Sequence, residues 1–475
     1  MDEDNIFPSD TDLDLSFTSC ASNTSTDRTF TSSSARSSLT LSFKESRLST
    51  STSGSRPHRR SDPHWSAINA ATNLSSDGAL HLRHLKLIRH IGSGNLGRVF
   101  LCRVKDYDGA NFALKVVDRD AITAKKLSHV QMEAQVLSTV DHPFLPTLYA
   151  HLEVSHYSCL LIDYCPGGDL HALLRKQPEN RFGVNAVRFF AAEVLVALEY
   201  LHAMGVVYRD LKPENVLIRE DGHIMLSDFD LCFKADVVPT IETTTTATSI
   251  RSTQFKMKKK KKKSRYCYSY RYSCFGGRRW KEQEEEVDVT REFVAEPTAA
   301  FSKSFLGTHE YLSPELLSGN GHGNGVDWWA FGIFVYELLY GRTPFKGDTK
   351  EATLRNIASA RPFRFPECDV AGAGEEEARD LIQKLLVKDP RRRLGCAKGA
   401  TDIKKHPFFH GIKWALIRTY RPPEEVVGLL GSRRKSMLVS SRVSATSSSS
   451  SSSKKRRWSW KGLGNLRLRR GEDRR

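Results

Sequence analysis

Between residues 85 and 420 the chain changes from one hydrophobic period to another. Short runs rich in β-branched and aromatic residues come first: Leu85-Lys86-Leu87-Ile88, Val99-Phe100-Leu101 and Phe112-Ala113-Leu114-Lys115-Val116-Val117. Their length and composition predict strands joined as hairpins. Lys125 to Val140 predicts a helix that stops before Asp141-His142-Pro143, since the position ahead of a proline disfavours helical backbone. From Ala186 to His202 the apolar residues Val187, Phe190, Val194, Ala197, Leu198 and Leu201 recur at helical spacing. Asp327 to Leu339 is apolar nearly all round and predicts a buried helix, with Trp328, Trp329 and Tyr336 in the core. Strands followed by helices predict an α+β protein, a small mainly β lobe ahead of a larger mainly α lobe.

Three stretches lack this patterning. Residues 1–84 are dominated by Ser and Thr and predict disorder, because they bury too little apolar surface to offset the entropy of ordering. An insert at about 234–300 runs Thr-rich, then basic, then acidic, and is too long for an ordinary loop inside a compact domain. The segment 410–475 loses its period after Tyr420 and carries a Ser run and basic clusters.

Composition narrows the options. The 475 residues hold 72 Lys+Arg against 55 Asp+Glu, a net charge of +17, which points to acidic partners. Nine scattered Cys without a Cys-x-x-Cys pair argue against a disulfide framework or a zinc site. The start Met-Asp-Glu-Asp is no secretory signal, and the best apolar run, Phe331 to Tyr340, is too short to span a bilayer, so the expectation is a soluble or peripheral protein. A dense block of positive charge lies in the insert, where Arg251 to Lys281 contains thirteen Lys/Arg and no Asp/Glu. Phe255, Tyr266, Tyr268, Tyr270, Tyr272, Phe275 and Trp280 are interleaved with it. A solvated linker, a nuclear import signal and an anionic-lipid binder compete as readings. The aromatic rings suit a headgroup region, so Lys258, Lys259, Lys260, Lys261, Lys262 and Lys263 are taken as lipid-binding candidates. The location expected is the cytoplasmic face of the plasma membrane and the cytoplasm, with nuclear or mixed placement next.

The chemistry-bearing residues occur in one order. Gly92-x-Gly94-x-x-Gly97 lies between two strand-like runs, and glycines there let backbone approach a phosphate and tolerate positive φ. A dinucleotide-binding turn shares the pattern but needs a helix after the third glycine, where this chain has a strand. Lys115 is a lone cation in an apolar strand, a costly position unless it is paired; Glu133 is the candidate partner, against the reading of an ordinary exposed glutamate. Asp210 is the candidate base for a hydroxyl proton, and Lys212 can neutralise charge on a moving phosphoryl group. Asn215 and Asp228 are hard oxygen donors suited to Mg²⁺. Ser304, three residues before Gly307-Thr308, would face Arg209 once phosphorylated. Glu315 and Arg393 read as a structural ion pair. His406 and His410 lack a third ligand and read as packing or solvated residues rather than a metal site.

From about Leu85 to Tyr420 the chain resembles the AGC group of serine/threonine protein kinases, on Tyr208-Arg209-Asp210-Leu211-Lys212-Pro213-Glu214-Asn215, Asp228-Phe229-Asp230 and Ser313-Pro314-Glu315. Asp-Phe-Asp in place of Asp-Phe-Gly, with the long insert, resembles the plant-specific AGC VIII class. Thr11 to Thr18 and Asp228 through Asp236 look like its WAG and PINOID branch, WAG most closely. The resemblance implies a bilobal protein kinase fold with a kinase domain over 85–409 and an AGC-type C-terminal extension beyond it. It also implies Mg-ATP as co-substrate and Ser/Thr acceptors in a basic context, among them PIN-type auxin efflux carriers. By position, ATP would be held by Ile91, Gly92, Ser93, Gly94, Asn95, Leu96, Gly97, Arg98, Val99 and Lys115, with Asp163 and Cys165 at the adenine hinge and Asp169 near the ribose. Asp169, Glu214 and Glu337 would form an acidic surface for substrate Arg or Lys, and Leu231 would favour Ser over Thr. Three departures stand out: Tyr208 replaces a usual His, Asp230 replaces a Gly and reduces backbone freedom there, and no Phe-x-x-Phe dock for an upstream kinase follows Phe409. Two rival classes are a pseudokinase scaffold, which normally lacks equivalents of Lys115, Asp210 or Asp228, and a nucleic-acid binder using the basic insert, which no nucleic-acid fold motif accompanies.

Overall fold

The computed structural model of the protein describes residues 62–94, 96–246, 288–304, 306–359, 361, 363–366 and 374–432. Helix α1 (Pro63–Asn73) precedes an antiparallel sheet of β1 (Leu85–Ser93), β2 (Arg98–Val104), β3 (Phe112–Asp118), β4 (Leu148–Val154) and β5 (Tyr157–Asp163), in the order β1-β2-β3-β5-β4. Helix α2 (Ala124–Thr139) lies between β3 and β4. Strand residues alternate faces, and β3 uses both. Phe112, Leu114 and Val116 share a core with Ala67 and Ile68 of α1. On its other face Val117 packs with Val130 of α2, and Lys115 meets Glu133 of the same helix.

The larger lobe is helical. It contains α3 (Leu170–Leu174), α4 (Val184–Ala203), α5 (Pro314–Leu317), α6 (Gly325–Tyr340), α7 (Lys350–Ala358), α8 (Glu375–Leu385) and α9 (Ala400–Lys404). Helix α6 is buried from Gly325 to Leu339, and Trp328, Trp329 and Tyr336 lie in the core it shares with α4 and α8. Short strands punctuate this lobe: β6 (Gly168–Asp169), β7 (Val206–Val207), β8 (Val216–Ile218), β9 (Ile224–Leu226) and β10 (Phe233–Lys234). They pair as β6-β8-β9 and β7-β10, and pin both ends of the loop 208–215. Glu315 and Arg393 form the expected ion pair, Nη1 to Oε1 at 2.6 Å and Nη2 to Oε2 at 2.8 Å. His406 caps the turn Pro407–Phe409 and its Nε2 lies 2.8 Å from Asp380.

One expectation needs correction, and the two other unpatterned stretches carry structure of their own. The predicted disorder of 1–84 does not hold for 62–84. Asp62 caps α1 by accepting from His64 N at 2.9 Å, Pro63 starts the helix, and Ala67, Ile68, Ala71 and Leu80 are buried. Small alanines seal that face, so the helix packs without the bulky apolar period that would announce it. The insert is ordered at its base. Strands β11 (Thr240–Thr246) and β12 (Asp288–Val294) pair antiparallel in unbroken register from Thr240↔Val294 to Thr246↔Asp288. The lipid-binding candidates Lys258 to Lys263 lie outside the described residues, as do residues 1–61 and 433–475. After Tyr420 the chain forms a helix over 424–432, with Val426 fully buried. Among the described residues no helix is long and apolar enough to cross a membrane, and Cys102, Cys159, Cys232 and Cys396 are free thiols.

Candidate active site

The glycine loop is the turn between β1 and β2, closed by Gly94 N donating to Gly97 O at 2.9 Å. None of Gly92, Gly94 and Gly97 has positive φ, which corrects that part of the expectation. Their roles differ. A Cβ on Gly97 would lie 2.3 Å from the Val116 carbonyl oxygen, so Gly97 serves strand packing. Gly92 and Gly94 face open space, which leaves backbone free to approach a ligand. Ile91, Ser93, Arg98 and Val99 are strand residues flanking the turn, Leu96 is buried beside it, and Asn95 lies outside the described residues.

Below the loop, Lys115 Nζ donates to Glu133 Oε1 and Oε2, both at 2.8 Å, and to Asp228 Oδ1 at 2.9 Å. Burial works against the ammonium charge, yet the two carboxylates outweigh it and hold the Lys115 pKa above its usual value. The same ammonium, opposed by burial, holds the Asp228 carboxyl below the ordinary range. Glu133 is 2 % exposed, which removes the surface-glutamate reading. At the end of β5, the expected adenine hinge, the Asp163 side chain accepts from Thr147 N at 2.8 Å and lies 3.0 Å from Tyr149 Oη. Cys165 lies against Met225, sulfur to sulfur at 3.6 Å, and Asp169 caps α3 by accepting from Ala172 N at 2.7 Å.

The loop 208–215 delivers Asp210. Lys212 Nζ donates to its two oxygens at 3.0 and 2.8 Å, and Asn215 Nδ2 donates to its Oδ2 at 2.8 Å. Thr308 Oγ1, 2.9 Å from Lys212 Nζ, donates to Asp210 Oδ1 at 3.3 Å. Burial pushes the Asp210 carboxyl above its usual range in spite of these partners. Because Asn215 spends its amide N–H groups on Asp210, its carbonyl oxygen is left as an acceptor. Together with the half-exposed Asp228 carboxylate it makes a pair of hard oxygen donors, fitting a small divalent cation that keeps waters and substrate phosphate oxygens as its other ligands. Among the described residues no group of three His, Cys, Asp or Glu could hold a metal unaided.

Two backbone positions here are strained: Arg209 has φ 67° and Asp228 has φ 53°, in the region that favours glycine. Asp230 is outside that region, so the aspartate replaces a glycine without such strain. Fully buried Tyr208 hydrogen-bonds through Oη to the Ser227 carbonyl and packs on Phe229, ring centroids 5.4 Å apart. Asp327 holds the Arg209 strain, accepting from Tyr208 N at 2.8 Å and Arg209 N at 2.7 Å. Sequence reasoning missed Asp327 as a site residue; it read only as the start of a buried helix.

Arg209 also reaches the segment that follows the insert. Its Nη1 donates to Ser304 Oγ at 2.6 Å and to Ser302 Oγ at 3.2 Å, and Phe233 lies 4.7 Å below the guanidinium. Ser302 was missed, although a second hydroxyl two residues from Ser304 was visible as sequence. The acidic surface is less uniform than expected. Glu214 is half-exposed, but Glu337 is buried, accepts from Tyr311 Oη at 2.6 Å and has the chain's own Arg175 3.9 Å away. Glu337 comes from the buried helix α6, so only its tip reaches the surface.

Residues 85–253 and 288–409 match the family described as the protein kinase domain. The chain is 59 % identical to the serine/threonine-protein kinase WAG1 of Arabidopsis thaliana, over 98 % of this chain and 94 % of the relative. It is 60 % identical to WAG2 of the same plant, over 90 % of this chain and 87 % of the relative. Protein kinase PINOID of Oryza sativa subsp. japonica is 48 % identical over 78 % of this chain and 74 % of its own length.

Proposed function

The chain belongs to the protein kinase family, in the plant AGC VIII class of serine/threonine kinases that includes WAG and PINOID, and we propose that it phosphorylates serines in basic sequence contexts on PIN-type auxin efflux carriers, using Mg-ATP. The observation that carries the catalytic reading is a pair of charged clusters, Lys115 with Glu133 and Asp228 and Asp210 with Lys212 and Asn215, joined where Ser227 N, next to Asp228, donates to Asn215 O at 2.9 Å. In this reading Gly92 and Gly94 admit the phosphates and Lys115 orients them. Asn215 and Asp228 would hold the Mg²⁺ ion, which when bound neutralises phosphate charge. Asp210 accepts the proton of the acceptor hydroxyl, and Lys212, already bonded to it, offsets charge on the group in transit. Glu214 and the tip of Glu337 supply negative charge for a basic residue upstream of the acceptor.

The kinase acts at the cytoplasmic face of the plasma membrane, held there by the basic insert, with part of the population in the cytoplasm. Nuclear import through Lys258–Lys263 is the competing placement. The test incubates wild type and Asp210→Asn with labelled ATP, Mg²⁺, a basic Ser peptide and the cytoplasmic loop of a PIN-type carrier. Label on both acceptors from the wild type alone is the expected result. Label on the peptide but not on the loop would overturn the substrate assignment, and equal label from the variant would overturn the catalytic one.

A further inference from the structure

His202, at the end of α4, is fully buried between two carboxylates. Its Nδ1 lies 2.7 Å from Glu296 Oε2 and its Nε2 lies 2.8 Å from Asp327 Oδ2. A neutral imidazole has one donor and one acceptor nitrogen. Facing a carboxylate with each nitrogen, His202 satisfies both only as the imidazolium. Asp327 uses the same carboxylate to hold the Tyr208 and Arg209 amides, so a continuous chain of hydrogen bonds links Glu296 to the residue before Asp210.

Glu296 belongs to the returning arm of the insert, two residues beyond β12. That arm is fastened to α9 and its approach: Glu292 pairs with Lys398 and Lys405, and Thr401 Oγ1 donates to Phe293 O at 3.4 Å. Glu296 itself is 6 % exposed, accepts from Asn324 Nδ2 at 2.8 Å, and lies so close to Gly399 that a Cβ there would fall 1.7 Å from Oε1. Such enclosure is unusual for a carboxylate next to a surface insert, and a buried charge is kept only where it is paired.

We propose that Glu296 is a positioning residue for phosphoryl transfer, acting through His202 and Asp327 on the backbone that carries Asp210. The base of the insert is thereby part of the scaffold under the catalytic loop. With Glu296 charged, His202 stays an imidazolium and Asp327 keeps a fixed cation behind it while it holds the strained φ of Arg209. Without that charge, His202 deprotonates more readily, and its Nε2 is no longer held as a donor to Asp327. The groups facing His202 are Glu296 from the returning arm, Asp327 and the Trp328 ring from α6, and, beyond Asp327, the Cys232 thiol, which lies 3.6 Å from Tyr208 O. The pKa of His202, lowered by burial but raised further by the two carboxylates, stands at about 10.

The inference rests on Asp210 as the base, so Asp210→Asn is run beside the informative variant, Glu296→Gln, in the full chain. Gln can present one oxygen to both His202 and Asn324, so the substitution removes charge while allowing the shape to stay. Expected for Glu296→Gln are a kcat lower by roughly 10- to 100-fold, a KM for ATP changed by less than about twofold, and a wild-type circular dichroism spectrum. Its kcat also declines as pH rises from 7 to 9, where wild type is flat, and ¹⁵N chemical shifts of His202 show a neutral ring in the variant at the pH of that decline. A variant with wild-type kcat and pH profile would overturn the proposal while leaving the catalytic assignment in place. So would activity lost only in proportion to unfolded protein at every pH. An active Asp210→Asn would remove its premise and overturn both.

Discussion

Lys115 is strand-borne, Glu133 helix-borne and Asp228 loop-borne, and their meeting is a matter of compensated charge. Removing one member of a buried pair leaves the other unpaired, which typically costs ~3–5 kcal/mol. Lys115→Met should therefore lower both stability and activity. The double variant Lys115→Met/Glu133→Leu should recover most of the stability and none of the activity, as read by urea denaturation and labelled-ATP turnover. Asp210→Asn and Asp228→Asn remove chemistry with little change in packing. Each should lose at least ~10²–10⁴-fold in turnover with an unchanged circular dichroism spectrum. His202 gives a prediction in pH. Its folded pKa, about 10, is above the ordinary 6.5, so its contribution to stability is complete below about 6.5 and fades as pH rises towards 10. Urea midpoints of wild type and His202→Gln should differ most at pH 6 and converge by about pH 10. A constant difference would show that the charge is not what stabilises.

Two elements carry more than their sequences suggest. Helix α1 covers the face of the sheet opposite α2 and is fixed by its cap: Asp62 accepts from His64 N, and Tyr149 Oη donates to Asp62 Oδ2 at 2.8 Å. Although burial opposes it, hydrogen bonds from His64 and Tyr149 hold the Asp62 carboxyl at about 2, well ionised at neutral pH. Asp62→Ala should cost ~0.5–2 kcal/mol and free α1 to fray, seen as faster hydrogen exchange at Ala67 and Ile68. The segment that carries Ser302 and Ser304 is the second element. Arg209 already holds Ser302 and Ser304, so a phosphate on Ser304 would meet a cation in place and form shorter, charge-assisted bonds. Ser304→Ala should lower peptide phosphorylation to the level of phosphatase-treated wild type, and equality with the fully phosphorylated enzyme would remove Ser304 from activation.

Across the whole chain the net charge is +17, and residues 251 to 281 carry thirteen Lys/Arg with no Asp/Glu. Polybasic segments gain about 1 kcal/mol per residue near an anionic leaflet, so about half of the thirteen would contribute roughly 6 kcal/mol, enough for reversible attachment. Neutralising Lys258–Lys263 in a fluorescent fusion should move signal from the cell periphery and abolish pelleting with vesicles containing phosphatidylserine. Retained peripheral signal, or pelleting of wild type that ignores lipid charge, would refute the membrane reading.

What the sequence alone determined is what chemistry and periodicity force on neighbouring residues. Asp210, Lys212 and Asn215 act on one group from one short loop, so their types and spacing are visible without a fold. Helices α2, α4 and α6 follow from apolar period to within about two residues at each end, because their buried faces need bulky side chains. The tertiary structure alone decided what depends on distant partners or on small residues. His202 lies 94 residues from Glu296 and 125 from Asp327, and nothing local marks three scattered polar residues as one buried network. Glu337 reads as a surface acid until Tyr311 closes over it, and Gly97 as a phosphate-loop glycine until Val116 is seen against it. Helix α1 escaped notice because alanines pack by close approach rather than bulk. Local pattern encodes which face of an element is apolar, whereas burial of a charge is a property of everything the fold brings around it.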